Sequence, residues 1–496
     1  MRFLLILCIV INITACDNPP PASIRFGLSN APVTLDPRFA TDAASVRANR
    51  LLYCSLVKFD DNLLPIPNLA TWENVDLTHY RFHLGQTGRQ FHNGHFLTAY
   101  DVKATYDFIL KGEPKSPHRA KLNMIQAVNV QDEDTLEFVL TKPDTLFPSR
   151  LEHGILPKSL IDQNHPFHTH PLGSGAFKFV DWPQSNHLRL QRLSDGQVVE
   201  FIEVKDPVVR ALKLARGELD LLQNDLSPEL ITWLEKQSEL YVRKRKGSNF
   251  TYIGFNLKDD ATKQLTIRRA IAYAINREEI IRYVMGDAAR PASGFFPPTH
   301  WVGNSNLGSY DYDPEKAKHL LASVGVSKDK PIYLTYKTTN NPLRIRIATV
   351  IQHQLAKVNI HIDIRTYDWG TFYGDIKKGR FQMYSLSWVG ITTPDIFRYV
   401  FHSDSLPPGG ANRGRWESRR ADLLIEQAEA ALTLKAQTIF YRELQAYVLE
   451  QLPYVPLWYE DHVLVANHRI HGYELAADGN YDGLIQVERV VQKKVH

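Results

Sequence analysis

The sequence predicts a mixed α/β protein built as two or three lobes. Apolar residues recur alternately at strand spacing and at helix spacing along the whole chain, which indicates strands interleaved with helices rather than a bundle or a sandwich. The chain has 496 residues, more than one hydrophobic core accommodates, since single cores stop growing near about 250–300 residues. Hydrophobic residues make up 44% and charged residues 23%, as in an ordinary water-exposed globular body. The formal charge of +4 argues against a nucleic-acid partner, which needs a strong basic excess.

The chain opens MRFLLILCIVINITACDN. Arg2 precedes a mostly apolar run from Phe3 to Ile13, and the small residues Thr14 and Ala15 lead into Cys16. A bilayer-spanning helix needs about 20 apolar residues, so this run is too short to cross. It reads as a secretory signal peptide over 1–15. Ile13-Thr14-Ala15-Cys16 resembles the lipobox of bacterial lipoproteins. That resemblance implies cleavage before Cys16 and lipidation of its thiol; two or three acyl chains anchor stably where one binds only marginally. Asp17 resembles the signal that keeps Gram-negative lipoproteins at the inner membrane. The expected location is therefore periplasmic, on the outer face of the cytoplasmic membrane. The other readings are a conventional signal peptide cut at Ala15 and a buried N-terminal strand. A Pro-rich linker over 16–22 follows. Cys8 lies in the signal and Cys16 at the lipid site, so Cys54 alone remains and no internal disulfide is expected. Its apolar neighbours make it a small core residue.

Beyond the linker, SIRFGLS (23–29) alternates as a strand and ASVRANRLLYCSLV (44–57) carries helical spacing. LTHYRFHL (77–84) and DTLEFVL (134–140) read as strands. TAYDVKATYDFIL (98–110) is a helix with Thr98 as N-cap and Asp101 three residues on, a variant capping box. AFKFVDW, HLRLQRL and VVEFIEV form a strand series between Ala176 and Val204. Pro207 to Leu222 is a helix that starts on Pro207, ends at Gly217 and runs into a strand. Helices are expected over 267–285, 314–323 and 420–449, and strands over 360–369 and 381–388.

The ordered succession of these segments resembles the ABC-transporter solute-binding proteins of the dipeptide- and oligopeptide-binding family. The likeness rests on LDPRFATDAASVRANRLLYCSLVKFDDNLLPIPNLATWE (35–73), FHNGHFLTAYDVKATYDFIL (91–110), PLGSGAFKFVDW (171–182), IRRAIAYAINREEII (267–281), DYDPEKAKHLLASVG (311–325) and QLPYVPLWYED (451–461). Each motif is weakly specific; their order over more than 400 residues is strong. Asn93 stands where the family usually has Asp. The resemblance implies the two-lobed periplasmic-binding-protein fold (type II, cluster C) with an extra subdomain in the first lobe. The implied division is 23–52, 170–250 and 460–496 for lobe I, 53–169 for the extra subdomain and 251–459 for lobe II. A ligand would bind between lobes that close on it.

The same resemblance locates candidate ligand contacts. In peptide-binding members a strand ends in Trp-x-x-Asp, and that Asp holds the peptide's α-amino group. Here the Trp is Trp388, but the Asp position is Ile391; Asp395, after Pro394, is a weak substitute. Trp388 and Trp369 could each offer a flat apolar face to a ligand, or pack in the core. Gly390 could admit close backbone approach, or serve a turn. Asn412, in PPGGANRGRW, lies on a loop that faces the cleft in the family. Arg413 and Arg415 on that loop could meet a carboxylate or phosphate. Asn249 and Phe250 are expected near the crossing between lobes, in hinge or core roles.

Other features read as structural. His165, His168 and His170 fit a loop better than a metal site, and RKRK (243–246) a solvated loop before a strand. No G-x-S-x-G, H-E-x-x-H, P-loop or C-x-x-C occurs, so neither an enzyme nor a cofactor is expected. The expected function is that of a lipid-anchored, monomeric substrate-binding component of an ABC importer for peptides or peptide-like solutes, handing cargo to two membrane subunits and two ATPases. A non-peptide cargo such as an opine, glycoside or metal chelate is the alternative, with a secreted hydrolase or a sensory or chaperone-like receptor behind it.

Overall fold

The structure, a computed structural model, describes residues 23–60 and 63–490. The expected signal peptide, Cys16 and Asp17 lie outside the described residues. One large sheet runs through the protein. Its strands lie in the order Ile360–Tyr367, Ile332–Thr339, Met383–Trp388, Leu240–Phe255, Tyr454–Asn467, Leu221–Gln223, Ile24–Leu28, Val198–Glu203, His187–Arg192 and Phe177–Gln184, with Ala289–Pro291 added on Tyr454–Asn467. Ile24–Leu28 pairs in parallel with Val198–Glu203 and Leu221–Gln223, and Ile332–Thr339 in parallel with Ile360–Tyr367. These connections return through helices such as Pro342–Ala356, as parallel pairing demands. A separate antiparallel sheet of four strands, Ala70–Asn74, His79–Leu84, Thr135–Leu140 and Ile125–Val130, carries the helix Ala99–Lys111. That helix starts with the reciprocal Thr98–Asp101 capping box.

Four large cores follow from this layout. Ile24, Phe26, Leu51, Phe177, Phe201 and Leu464 pack together at one end of the large sheet. Ile253, Ile271, Leu334, Ile351 and Leu457 pack at the other. Phe82, Tyr106, Phe138 and Phe147 fill the space under the four-stranded sheet. A fourth core, with Phe250, Phe295, Phe397 and Phe401, backs the strand end at Trp388. The first two cores communicate through the long antiparallel strands Leu240–Phe255 and Tyr454–Asn467. Leu240–Arg245 pairs with the part of Tyr454–Asn467 that leads to the Ile24 core, whereas Phe250–Phe255 also pairs with Met383–Trp388. The register shifts between Arg245 and Asn249, so the crossing passes through a break in the ladder. Gly247 sits in that break. A Cβ there would lie 2.4 Å from the Glu460 carbonyl oxygen, so only glycine lets the two strands approach this closely.

The structure departs from the sequence reading at four places. The helix expected over 44–57 is Ala43–Leu52 and ends where Tyr53 turns extended. The helix expected over 267–285 is two, Leu265–Ala274 and Arg277–Val284, because the Asn276 side chain accepts the Glu279 amide and starts a new helix. The helix expected over 420–449 is likewise Arg419–Ala430 and Leu434–Gln451, restarted by the Thr433 cap. RKRK is exposed, but it lies within the strand Leu240–Phe255 rather than in a loop.

Candidate functional site

A cleft of about 2100 Å³ lies between the two ends of the large sheet. Small-ligand pockets usually enclose about 300–1,000 Å³, so this cleft has room for an extended solute. One wall comes from Ala43–Leu52 and the loops of the four-stranded unit, including Asn49, His118, Lys121 and His153; the facing wall carries Trp369, Tyr373, Trp388, Gly390, Tyr399 and Arg413. The crossing strands contribute Asn249 and Glu460. Several of these groups have buried polar atoms without a hydrogen-bond partner: the Asn49 amide, His118 Nε2, His153 Nδ1 and Trp388 Nε1. Buried polar groups are nearly always paired in native proteins, so these atoms, a minority of the unpaired ones among the described residues, are available to a polar guest in the cleft.

Trp388, Trp369, Gly390, Asp395, Ile391, Asn249 and Arg413, all singled out from sequence, line the cleft. Trp388 ends its strand, and the Arg413 guanidinium lies 4.5 Å from the ring centroid. Trp369 opens the helix Trp369–Lys378, is 48% exposed and stacks on Tyr373 at 5.2 Å and 8°. Gly390 has φ +67°, and its amide faces Asn249 Oδ1 at 3.4 Å. Asp395 also reaches the cleft, but its carboxylate is already held by Thr393 Oγ1, by Lys121 at 3.3 Å and by Arg150 at 3.8 Å. It is therefore not a free anchor for a ligand amine. Ile391 is buried among Phe295, Phe397 and other apolar residues.

Asn412 is corrected by the structure. It is buried and turned into its own loop, donating to the carbonyls of His402 (3.2 Å) and Trp416 (2.7 Å) and accepting the Trp416 amide. It shapes the loop rather than lining the cleft, because a buried loop must satisfy its own backbone groups. Arg415 donates to the Arg413 carbonyl and lies against Gly379. Arg413 is the member of this loop that enters the cleft.

Two ionic groupings escaped the sequence reading. Arg344 grips Glu460 through two hydrogen bonds, 2.8 and 3.2 Å, and Thr251 and Ser387 also donate to that carboxylate. Burial alone would raise the Glu460 pKa, but Arg344 and the two hydroxyls outweigh it and bring it down to about 2. The second grouping joins the four-stranded unit to the Trp388 side. Lys121 and Arg150 meet Asp395, and Lys142 and Arg398 meet Glu429 at 2.9 and 2.7 Å. Burial opposes the Glu429 charge, yet Arg398 and Arg150 hold its pKa at about 2. No local motif announces these pairs, since partners such as Lys121 and Asp395 are hundreds of residues apart.

Two walls on separate cores, a strand crossing between them and a polar, aromatic-lined cleft define a two-lobed solute-binding protein. Residues 65–405, more than half of the chain, match the model for bacterial extracellular solute-binding proteins, family 5 (middle region), and the chain belongs to that family. It is 27% identical over 464 residues to the dipeptide-binding protein of Escherichia coli (strain K12), covering 85% of this chain and 86% of that one. Its fold matches the oligopeptide-binding protein AppA from Bacillus subtilis in complex with a nonapeptide, with a TM-score of 0.86, 23% identity, and coverage of 95% and 99% of the two chains. It also matches NikZ from Campylobacter jejuni in complex with Ni(L-His), with a TM-score of 0.83, 22% identity, and coverage of 94% and 99%.

Proposed function

We propose that this chain is the lipid-anchored receptor of an ABC importer, capturing peptides or peptide-like solutes between its lobes and delivering them to a membrane permease. The observation that carries this reading is the cleft itself, about 2100 Å³ and edged by unpaired polar atoms and by Trp369 and Trp388. The likeness to peptide-binding relatives supports it. Lobe I comprises 23–52, 170–250 and 460–496, the extra subdomain 53–169 and lobe II 251–459. Closure excludes water, which strengthens each hydrogen bond made to the cargo. An affinity of about 8 kcal/mol, a micromolar constant, is enough for capture and still permits release.

Purification without refolding, followed by native mass spectrometry, tests the cargo. A population of co-purified peptides is expected; one non-peptide species in its place overturns the peptide reading. That second reading draws its support from Ile391, an apolar residue at the position where an amine-binding acid would stand. For the anchor, Cys16→Ala is expected to move the protein from the membrane fraction to the soluble fraction, because the acyl chains supply the attachment. Retention of the variant on washed membranes would refute lipidation at Cys16. Anchoring keeps the receptor on the surface that holds its permease and so raises their effective concentration.

A further inference from the structure

The cations lining the cleft are not equivalent. Arg50, Lys121 and Arg344 each hold a carboxylate, from Asp482, Asp395 and Glu460 respectively. Arg210 is spent on the backbone carbonyls of Val204, Lys205 and Asp225. Arg47 also lines the cleft with no carboxylate within ion-pair distance among the described residues, but it is only half-buried, over the Tyr481 ring at 5.2 Å. Arg413 differs from Arg47 in its burial and from the others in its partners. It is 6% exposed, yet among the described residues no carboxylate lies within ion-pair distance of it. Its two terminal nitrogens donate to the hydroxyls of Tyr252 and Tyr373, both at 3.1 Å. Its plane lies over the rings of Trp388 at 4.5 Å and Tyr373 at 5.2 Å. These contacts hold the guanidinium rigidly in place but leave its charge uncompensated. Elsewhere in proteins, buried charges are paired because isolated ones are costly.

We propose that Arg413 is the anion subsite of the cleft and that the cargo carries an oxyanion, a carboxylate in the case of a peptide-like solute, which supplies the missing counter-charge. The proposal rests on the reading of the cleft as a solute site and adds a chemical class to it. Guanidinium donors in a fixed plane match a carboxylate better than any neutral group. The Trp388 and Tyr373 rings sit beside that donor plane and would pack the solute's apolar part. Nearby acids do not compete: Ile391 is apolar and Asp395 is bound to Lys121.

The test uses the intact soluble body, stripped of co-purified solute, with two probes, the dipeptide Ala-Phe as free acid and the same dipeptide as its amide. Titration calorimetry is expected to show the acid bound about 30-fold or more tightly than the amide, the range for a buried charge pair. Arg413→Gln should erase that difference, and Arg413→Lys should restore part of it. A structural arginine would lower the melting temperature of the empty protein when replaced. An uncompensated one should leave it unchanged or raise it on Arg413→Gln. Equal binding of acid and amide by the wild type, equal loss of both in Arg413→Gln, or a melting point several degrees lower in the empty variant would each overturn the subsite. Should neither dipeptide bind, the peptide reading is left to the identity of the co-purified solute, which also decides the anion question. An acidic solute depleted at least tenfold from Arg413→Gln upholds the subsite, and a neutral or cationic one, or equal retention, removes it.

Discussion

Gly390 holds a left-handed backbone, φ +67°, at the point where the chain leaves Trp388 and enters the cleft wall. A Cβ added there would find nothing nearer than the Asp478 carbonyl oxygen at 4.0 Å, so the position is constrained by torsion rather than by space. Gly390→Ala is therefore expected to cost only about 1–2 kcal/mol, the left-handed penalty for a residue with a Cβ; a urea-midpoint shift much larger than this would point to a clash. The Arg344–Glu460 pair behaves differently. Arg344→Met strands a half-buried carboxylate, 20% exposed, and its two hydroxyl donors, so the expected cost is about 2–3 kcal/mol, below the roughly 3–5 kcal/mol of a fully buried pair. An effect below about 1 kcal/mol in the same assay would mean that water screens the pair. Sequence singled out Trp388 and Gly390 through the segment that resembles Trp-x-x-Asp, and Trp369 only as an aromatic that could face a ligand or the core; all three line the cleft. It misplaced Asn412, because a loop side chain that points inward and one that points at a ligand share the same sequence signature.

At the level of elements, the contact between the four-stranded unit and the Trp388 wall rests on charge. Lys121 sits between Asp395 and Glu152, at 3.3 and 3.4 Å. Burial disfavours the Asp395 carboxylate, but Lys121, Arg150 and the Thr393 hydroxyl outweigh it and depress its pKa. These bonds join opposite walls of the cleft, so under the proposed lobe closure they would stabilise a closed arrangement more than an open one. Asp395→Asn removes the charge while keeping the shape. A charge-assisted hydrogen bond is worth about 1.5–3 kcal/mol, so solute affinity is expected to fall about 10- to 150-fold through the lower population of the closed state. Calorimetry with the co-purified solute checks it, and unchanged affinity would show that closure does not draw on this bond. Strands such as His79–Leu84, Thr135–Leu140 and His187–Arg192 were readable because buried and open positions alternate along them, whereas Ile125–Val130 and Tyr454–Asn467, the latter buried on both faces, lack that signature and were not. The helix breaks at Asn276 and Thr433 were not, because apolar spacing continues across both while a single side-chain cap interrupts the helix.

Taken as a whole, the molecule should lose stability in mild acid in two stages. Burial and then Lys121 lower the His118 pKa from 6.5 to about 4, against a hydrogen bond with the Ala40 backbone; the His153 ring lies 4.7 Å away, edge to face. His153 is pushed well below its ordinary value by burial, His118 and Lys121; Arg150 and Glu152 also border this site. In the unfolded chain both imidazoles take up protons near pH 6.5, whereas in the folded protein they resist. Their depressed pKa values therefore leave stability complete above about pH 6.5 and drain it as pH falls toward 4, with a ceiling of about 3 kcal/mol for His118 at 1.36 kcal/mol per unit. Glu429 and Glu460, held at about 2, keep their contribution above about pH 4.5 and lose it only below that. Urea midpoints at pH 7, 6 and 5 are expected to decline in the wild type and to flatten in His118→Gln. An identical slope in both proteins would reject the histidine pair as the source.

Sequence by itself determined the family, the mixed α/β class and the run of strands and helices, because periodicity and ordered motifs are local and survive without coordinates. It also presented Cys16 as an anchor and Ile391 as a departure from the peptide-binding pattern. Only the tertiary structure decided which charges are spent. Arg344 finds Glu460, Lys121 finds Asp395, and Arg413 finds two tyrosine hydroxyls and two aromatic rings but no carboxylate among the described residues, and none of these outcomes follows from spacing. The reason is physical: a charge's role depends on which distant segment the fold places within a few ångströms of it, and on how much water that packing leaves between them.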